Sequence, residues 1–271
     1  MVYADQNKPE IAQATFQQFG ERTSALTRLH IPGFEAQLAQ MRGDFEGALA
    51  SYRKAVVQLG RAGQSEAAES FLEQFALLSV MLGQSSSALS FAQQQKLDGE
   101  ELQAVALLQT TAGNKSAAEQ SLKRFAAEHP AVAPRLVDDQ QAFNEMTAAV
   151  ERNDGQTALT RAASMSNLQY PSVLFLKGRA HLLASDYSSA EMEFRRTLLF
   201  GRNQANFPTL VRRFPAAEIL SHYYLGQLYE HSGKRDQAIN EYQEFLSHFE
   251  RSYARLPQVS EARTAVKRLM Q

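Results

Sequence analysis

The six histidines are the residues whose type most readily suggests chemistry in this chain, as metal ligands or general bases. No two of them have the H-E-x-x-H spacing of a helical zinc site, and the chain has no cysteine. His222 and His231 lie on one predicted helix but lack an evident third ligand. We interpret His181 as a packed imidazole rather than a ligand. The sequence therefore predicts no metal site and no cofactor.

Adjacent carboxylates are the second candidate for chemistry, since two acids held together can serve as general acid and base. Such pairs occur at Asp138 and Asp139 and at Glu100 and Glu101. Both pairs fall near predicted helix starts, where negative charge favours the helix dipole. We interpret them as helix-stabilising charges, predict no catalytic residue, and expect that the chain is not an enzyme.

Basic and aromatic residues are interleaved in the segment GRNQANFPTLVRRF. They are Arg202, Phe207, Arg212, Arg213 and Phe214. Such a patch can stack on bases or hold an acidic peptide. The alternative is a connector whose two Phe residues fill a widened gap between helices. Under both interpretations, 198–218 is predicted to be an insertion, because the spacing between equivalent residues of successive helical repeats is longest there.

A turn residue followed five positions later by alanine recurs along the chain and defines the elements that position these side chains. Gly and Asn suit the positive φ that commonly ends a helix, and alanine suits a close helix crossing. The pairs are Gly43 and Ala48, Gly83 and Ala88, Gly113 and Ala118, Asn153 and Ala158, Ser185 and Ala190, and Gly233 and Ala238. We predict that these alanines are buried in a series of helical hairpins.

Two of these units carry a fuller pattern. Gly178, Ala190 and Phe194 stand in GRAHLLASDYSSAEMEF, and GQLYEHSGKRDQAINEY repeats the same offsets. This pattern resembles the tetratricopeptide repeat (TPR). The resemblance implies an all-α fold, a TPR-like right-handed superhelical solenoid of antiparallel helix pairs.

The repeat register divides the chain into segments. Residues 1–20 resemble the second helix of a truncated repeat, and are either the start of a fragment or a divergent cap. About six hairpins occupy 31–247, and 257–271 is predicted to be a C-terminal capping helix with Ala262, Val266 and Leu269 on one face.

The last hundred or so residues show a narrower resemblance, through LSHYYLGQLYEHSGKRDQAINEYQEFLSHF and the segments that flank it. They are similar to the C-terminal TPR region of bacterial eukaryotic-like serine/threonine protein kinases. The kinase motifs G-x-G-x-x-G, H-R-D and D-F-G are not in this chain. The resemblance implies a non-catalytic protein- or peptide-binding scaffold, the regulatory or partner-recruiting region of a larger signalling protein.

The first helix of each repeat lines the concave groove in such proteins. By register, the groove positions are Gln37, Glu73, Gln103, Asn144, Arg179, Tyr223 and Gln227. They form a polar, amide-rich face that predicts a protein or peptide partner of unknown identity. The alternatives are a self-association module that makes a homo-oligomer, and an enzyme with its active site in the groove.

The net charge and the apolar runs of the chain limit the classes of partner that we expect. The net charge is -1 over 271 residues, so no overall field favours nucleic acid, and we expect no nucleic-acid partner for this segment. No apolar run is long enough to cross a bilayer. We expect a cytoplasmic location, or an extracytoplasmic one if a transmembrane segment precedes this region in the parent chain.

Overall fold

The computed structural model describes residues 14–15, 18, 24–99, 101–132, 134–166, 170–203, 214–249 and 256–271. All regular secondary structure within these residues is helical, which confirms the all-α prediction. Nearly all of the predicted half-repeat at 1–20 lies outside the described residues.

The described helices between residues 65 and 247 pair consecutively into hairpins in the predicted order. In chain order the described helices are α1 (Ala25–Arg28), α2 (Ile31–Met41), α3 (Phe45–Arg61), α4 (Ser65–Met81), α5 (Ser85–Gln93), α6 (Glu101–Thr111), α7 (Lys115–Glu128), α8 (Pro134–Glu151), α9 (Gly155–Ser164), α10 (Pro171–Leu183), α11 (Tyr187–Asn203), α12 (Pro215–His231), α13 (Arg235–Ser247) and α14 (Pro257–Leu269). The first helices of the hairpins are the even-numbered helices from α2 to α12. None of the described helices is both long and apolar enough to cross a membrane.

One three-residue turn joins the two helices of every hairpin. Its middle residue has positive φ at all six predicted positions, including Asn153 at 58° and Ser185 at 61°. The next amide donates to the carbonyl five residues earlier, as from Asp186 to His181 at 2.9 Å. These bonds satisfy carbonyls that a helix end leaves unpaired. The predicted turn residues are thus confirmed.

The anchoring alanines are buried, as predicted. Ala48, Ala88, Ala158, Ala190 and Ala238 are 0% exposed, and Ala118 is 4% exposed. A further copy of the same signal was not predicted: Gly63, with φ of 69°, links α3 to α4, and Ala68 five residues later is fully buried. The five-residue spacing from Gly63 to Ala68 is visible in the sequence. This turn, however, joins two successive hairpins, whereas each predicted turn joins the two helices of one hairpin.

The chain divides into two compact units. In the unit that contains Leu49–Leu168, α6 packs against both α4 and α8. In the unit that contains Phe34–Ala48 and Gln169–Gln271, α12 packs against α10, α11, α13 and α14. First helices of successive hairpins therefore contact one another within each unit, α4 with α6 and α6 with α8 in one and α10 with α12 in the other, which is the TPR-like stacking that the repeat register predicted.

The C-terminal helix packs as a cap on the last hairpin. Pro257 stands in the first turn of α14, where its missing amide hydrogen costs nothing. Val259, Ala262 and Ala265 are buried, and α14 contacts both α12 and α13. Ala262 is thus on the buried face as predicted, whereas Val266 and Leu269 are only half-buried.

Candidate functional site

Three of the predicted groove residues are not exposed. Gln37, Asn144 and Tyr223 are 1%, 1% and 3% exposed. The assumption that these positions face solvent is therefore wrong. These positions are buried because the first helices are packed on all sides in their second halves, for example over 74–80 in α4 and 104–110 in α6. A helix packed on several sides has no free stripe.

Tyr223 and Gln227 take part in the contact between α12 and the C-terminal helix α14. The Tyr223 hydroxyl donates to the Glu261 carboxylate of α14 and accepts from Gln227 Nε2 at 2.8 Å. Burial raises the pKa of Tyr223, and the hydrogen bond to Glu261 raises it further. These predicted groove residues thus anchor α14 on α12.

Arg179 packs on the next hairpin of its own unit. Its guanidinium lies 5.4 Å from the ring centroid of Tyr224, and that ring stacks on Phe194 at 5.6 Å. Such a contact between a cation and an aromatic face is attractive. Arg179 is therefore half-buried and helps to join α10 and α11 to α12.

The remaining groove positions, Glu73 and Gln103, are half-exposed on two neighbouring first helices. Gln103 Nε2 on α6 lies 3.5 Å from Glu69 Oε1 on α4. Glu69 is also half-exposed, and Glu66 at the start of α4 is exposed. We call Glu66, Glu69, Glu73 and Gln103 the α4–α6 face. Helical spacing puts its three carboxylates on one side of α4, and α4 contains no basic residue.

The predicted insertion patch is described only in part. Phe207, Arg212 and Arg213 lie outside the described residues, and Arg202 is described only by its backbone in α11. Phe214 directly precedes α12 and is 3% exposed. Its burial agrees with the interpretation of this aromatic as a packing residue. The interpretation of the arginines as a binding patch stays a prediction.

Two of the described histidines, His181 and His222, each pair with a carboxylate. His181 Nδ1 lies 3.0 Å from Asp186 Oδ2, and His222 Nδ1 lies 2.7 Å from Glu241 Oε2. His231 Nδ1 bonds the backbone oxygen of Gln227 rather than His222. Within the described residues, no group of three histidine or acidic side chains is arranged to hold a metal ion.

Asp139 has a tertiary role that the sequence analysis did not predict. It lies in the second turn of α8 and is 3% exposed, so the helix-dipole interpretation is wrong for this residue. Its Oδ1 accepts from the Ser166 amide at 2.8 Å, beyond the end of α9. Arg135 on the same helix lies 3.4 Å from that oxygen and donates to Ser164 O at 2.8 Å. The two side chains tie α9 to α8.

A second polar cluster joins α11 to α12 and was also missed. The Tyr229 hydroxyl donates to Glu191 Oε1 at 2.6 Å and contacts the Arg195 guanidinium. Burial raises the pKa of Tyr229 to about 12, with the Glu191 hydrogen bond acting in the same direction. Glu191 and Arg195 are one helical turn apart, which the sequence does show, but their shared contact with Tyr229 depends on hairpin packing.

Residues 221–252, which contain most of α12 and all of α13, match the family model of the tetratricopeptide repeat. A search of curated proteins returned no match. One similar solved structure is described as the crystal structure of the APC/C hetero-tetramer Cut9-Hcn1, with 12% identity and a TM-score of 0.39. The alignment covers 98% of this chain and 60% of that chain.

Proposed function

We propose that this chain is a non-catalytic scaffold that binds a protein or peptide partner. The support is the stack of helical hairpins and the tetratricopeptide match at 221–252. Protein binding is the use that this repeat architecture suggests, because stacked repeats present extended surfaces. The resemblance of the last hundred or so residues to the C-terminal TPR region of bacterial eukaryotic-like serine/threonine protein kinases extends the proposal to a regulatory or partner-recruiting region of a larger bacterial signalling protein.

The observation that carries the proposal is the α4–α6 face. Its carboxylates and amide are half-exposed or exposed on adjacent first helices, whereas Gln37, Asn144 and Tyr223 are buried. The Gln103–Glu69 contact spans the two helices, so the face is continuous across a hairpin boundary. Carboxylate oxygens accept hydrogen bonds from backbone amides and from Lys or Arg side chains. The partner that suits this face is a segment with basic side chains.

Charge reversal on this face tests the proposal. The variant Glu69→Lys with Glu73→Lys is expected to lower affinity at least tenfold for a partner that co-purifies with the parent protein. The matched control is Glu119→Lys with Asp236→Lys, which reverses two exposed acids on second helices. Binding of the unmodified chain should also weaken with added salt, because exposed charges are screened over about 8–10 Å. Equal losses in both double variants would contradict the proposal.

The compartment is part of the same proposal. We place the scaffold in the cytoplasm, beside the catalytic domain of a signalling protein, with an extracytoplasmic position as the alternative if a transmembrane segment separates the two. Fractionation of cells that express the tagged full-length parent distinguishes these positions. If the TPR region is protected from added protease in spheroplasts, the cytoplasmic position is supported. If the protease digests the TPR region in spheroplasts, the extracytoplasmic position is supported.

Self-association is a second candidate that one observation favours. Met192 and Leu199 lie two turns apart on the outward side of α11 and are 52% and 57% exposed. Large apolar side chains at such positions favour contact with another apolar surface. Analytical ultracentrifugation of the chain and of Met192→Glu with Leu199→Glu tests this candidate. A dimer lost in the double variant supports it, and a monomer in both refutes it.

A further inference from the structure

Three residues on α8 continue the α4–α6 face across a third first helix. Leu136, Gln140 and Phe143 follow one another at spacings of four and three positions, so they lie on one side of α8. Leu136 is 54% exposed, and Gln140 and Phe143 are half-exposed. We call these three residues the α8 face. None of them is charged, in contrast to the three carboxylates on α4.

The contacts of α8 show which way its face points. Val137 packs on the cluster that contains Ala118 and Leu122 of α7. Further along α8, Glu145 Oε2 lies 2.6 Å from Arg161 Nε of α9. Second helices therefore cover two sides of α8. Helical spacing puts the α8 face on the side opposite them.

The carboxylates of α4 point away from the second helices in the same way. Phe75 meets Phe91 of α5 at a centroid distance of 5.0 Å. Gln74 Oε1 accepts from the Tyr52 hydroxyl of α3 at 2.8 Å. Phe75 and Gln74 lie on the side of α4 opposite the carboxylates of the α4–α6 face. Both faces are therefore on the same side of the stacked first helices.

Contacts between the first helices show that the two faces adjoin. Gln103 Nε2 on α6 lies 3.5 Å from Glu69 Oε1 on α4. One turn further along α6, the Leu107 nitrogen lies 3.3 Å from the side-chain amide of Asn144 on α8. Gln140 precedes Asn144 by one turn, just as Gln103 precedes Leu107, so Gln140 stands beside Gln103. The α4–α6 face and the α8 face thus form one surface across three helices.

The two ends of this surface differ in chemistry. The α4 end has carboxylates, and neither α4 nor α6 contains a basic residue. The α8 end has the exposed side chain of Leu136. Arg135, the basic residue of α8, points elsewhere, because it donates to Ser164 O at 2.8 Å and to Ser166 Oγ at 3.0 Å. Carboxylates attract Lys or Arg side chains, and an exposed leucine favours an apolar contact.

We propose that this surface binds an extended segment of the partner, with a lysine or arginine on α4 and a large apolar side chain against Leu136 on α8. The inference rests on the proposed function and adds to it the apolar contact and the spacing between the two partner residues. The amide of Gln103, between the two ends, can bond the intervening peptide backbone.

Helix packing sets the spacing. Axes of packed helices lie about 8–10 Å apart, so α4 and α8 are separated by about 16–20 Å across α6. An extended chain advances about 3.3 Å per residue. The basic and apolar residues of the partner are therefore about five or six positions apart.

A displayed library of random peptides about twelve residues long provides the test, because such peptides can span the surface. The full chain is the bait. Selected peptides should contain a Lys or Arg and a large apolar residue about five or six positions apart, in either order. Selection of basic residues without an apolar residue at a fixed spacing would overturn this inference and leave the proposed function standing. Failure to select basic peptides would overturn both.

Variants assign the two partner residues to the two ends of the surface. Leu136→Ser should weaken binding of a selected peptide about tenfold, and should not affect the same peptide with serine at its apolar position. Glu69→Lys with Glu73→Lys should weaken binding of both peptides. Leu199→Ser is the matched control, since Leu199 is 57% exposed on the second helix α11 and should bind both peptides unchanged. Fluorescence anisotropy gives the affinities, and circular dichroism confirms folding. Equal effects of Leu136→Ser on the two peptides would overturn the apolar contact.

Discussion

Gly178 on α10 faces the ring of Phe194 on α11, and a Cβ atom added to the glycine would lie 2.7 Å from Phe194 Cδ1. Gly226 and Tyr242 repeat this relationship in the last hairpin, with 2.6 Å to Tyr242 Cδ1. Both aromatic rings are buried. The glycine of the repeat pattern therefore makes room for the aromatic residue of the same hairpin, which links two positions of the sequence signature by one contact.

Replacement of Gly178 by alanine should destabilise the fold. Overpacking against Phe194 costs about 1–3 kcal/mol, and the gain in helix propensity returns only about 1 kcal/mol. Urea unfolding measures the difference. The second change Phe194→Leu should recover part of the loss, because it removes the ring that the added methyl meets. A Gly178→Ala variant as stable as the unmodified chain would contradict this prediction, because it would mean that the Phe194 ring moves away from the added methyl group without a cost in stability.

The anchoring alanines can be tested within one helix. Ala158 in α9 is 0% exposed, whereas Ala163 in the same helix is exposed. Ala158→Leu should lower the free energy of unfolding by about 1–3 kcal/mol through overpacking, and Ala163→Leu should change it by less than about 0.5 kcal/mol. Thermal unfolding of the two variants checks this. A larger loss in Ala163→Leu would contradict the register.

Asp139 should make stability depend on acid pH. Burial acts to raise the pKa of Asp139, but hydrogen bonds from Ser166 and the charge of Arg135 lower it below its ordinary value overall. The stabilisation is therefore complete above about pH 4, the unfolded-state pKa, and is lost as pH falls through the lowered native pKa. Asp139→Asn should remove that part of the pH dependence.

The neighbouring Asp138 is exposed and serves as the matched control. Asp138→Asn should retain the acid-dependent loss of stability seen in the unmodified chain. Urea midpoints measured between about pH 2 and about pH 6 give both profiles. Loss of the same pH dependence in Asp138→Asn and Asp139→Asn would contradict the assignment of this stabilisation to Asp139.

The hydroxyl of Tyr229 should contribute to stability. Its removal in Tyr229→Phe breaks the 2.6 Å hydrogen bond to Glu191 and the contact with Arg195. Hydrogen bonds to charged groups contribute about 1.5–3 kcal/mol, so the midpoint of unfolding should fall measurably. Tyr187→Phe is the control, since Tyr187 is 38% exposed and stacks on His231 through its ring. A similar effect in both variants would assign the loss to something other than this hydrogen bond.

The repeat register was predictable from the sequence because each of its parts has a local cause. Gly43 and Ser185 adopt positive φ where a helix ends, and the alanine five positions later is buried at the crossing. The offset is fixed by helix geometry and needs no knowledge of distant contacts. Even Ser185, the residue least suited to positive φ in this set, followed the pattern.

The candidate site was less predictable because exposure depends on tertiary packing. Gln37 and Tyr223 occupy register positions that were expected to face a groove, yet both are buried. Tyr223 is covered through Glu261 of α14, and the Gln40–Ala216 bond joins residues 176 positions apart. Such long-range contacts leave no periodic signal. The α4–α6 face keeps Glu73 and Gln103 as predicted positions, and their role in binding stays a prediction.

Site-specific photocrosslinking tests the central claim that a protein partner binds on the first helices. A benzoylphenylalanine probe is placed at Glu73 or Gln103 on the α4–α6 face, or at Glu119, which is exposed on the second helix α7. In cells that express the full-length parent, the account predicts one partner band from positions 73 and 103 and none from position 119. Crosslinks from position 119 alone, or at equal yield from all three positions, would contradict it.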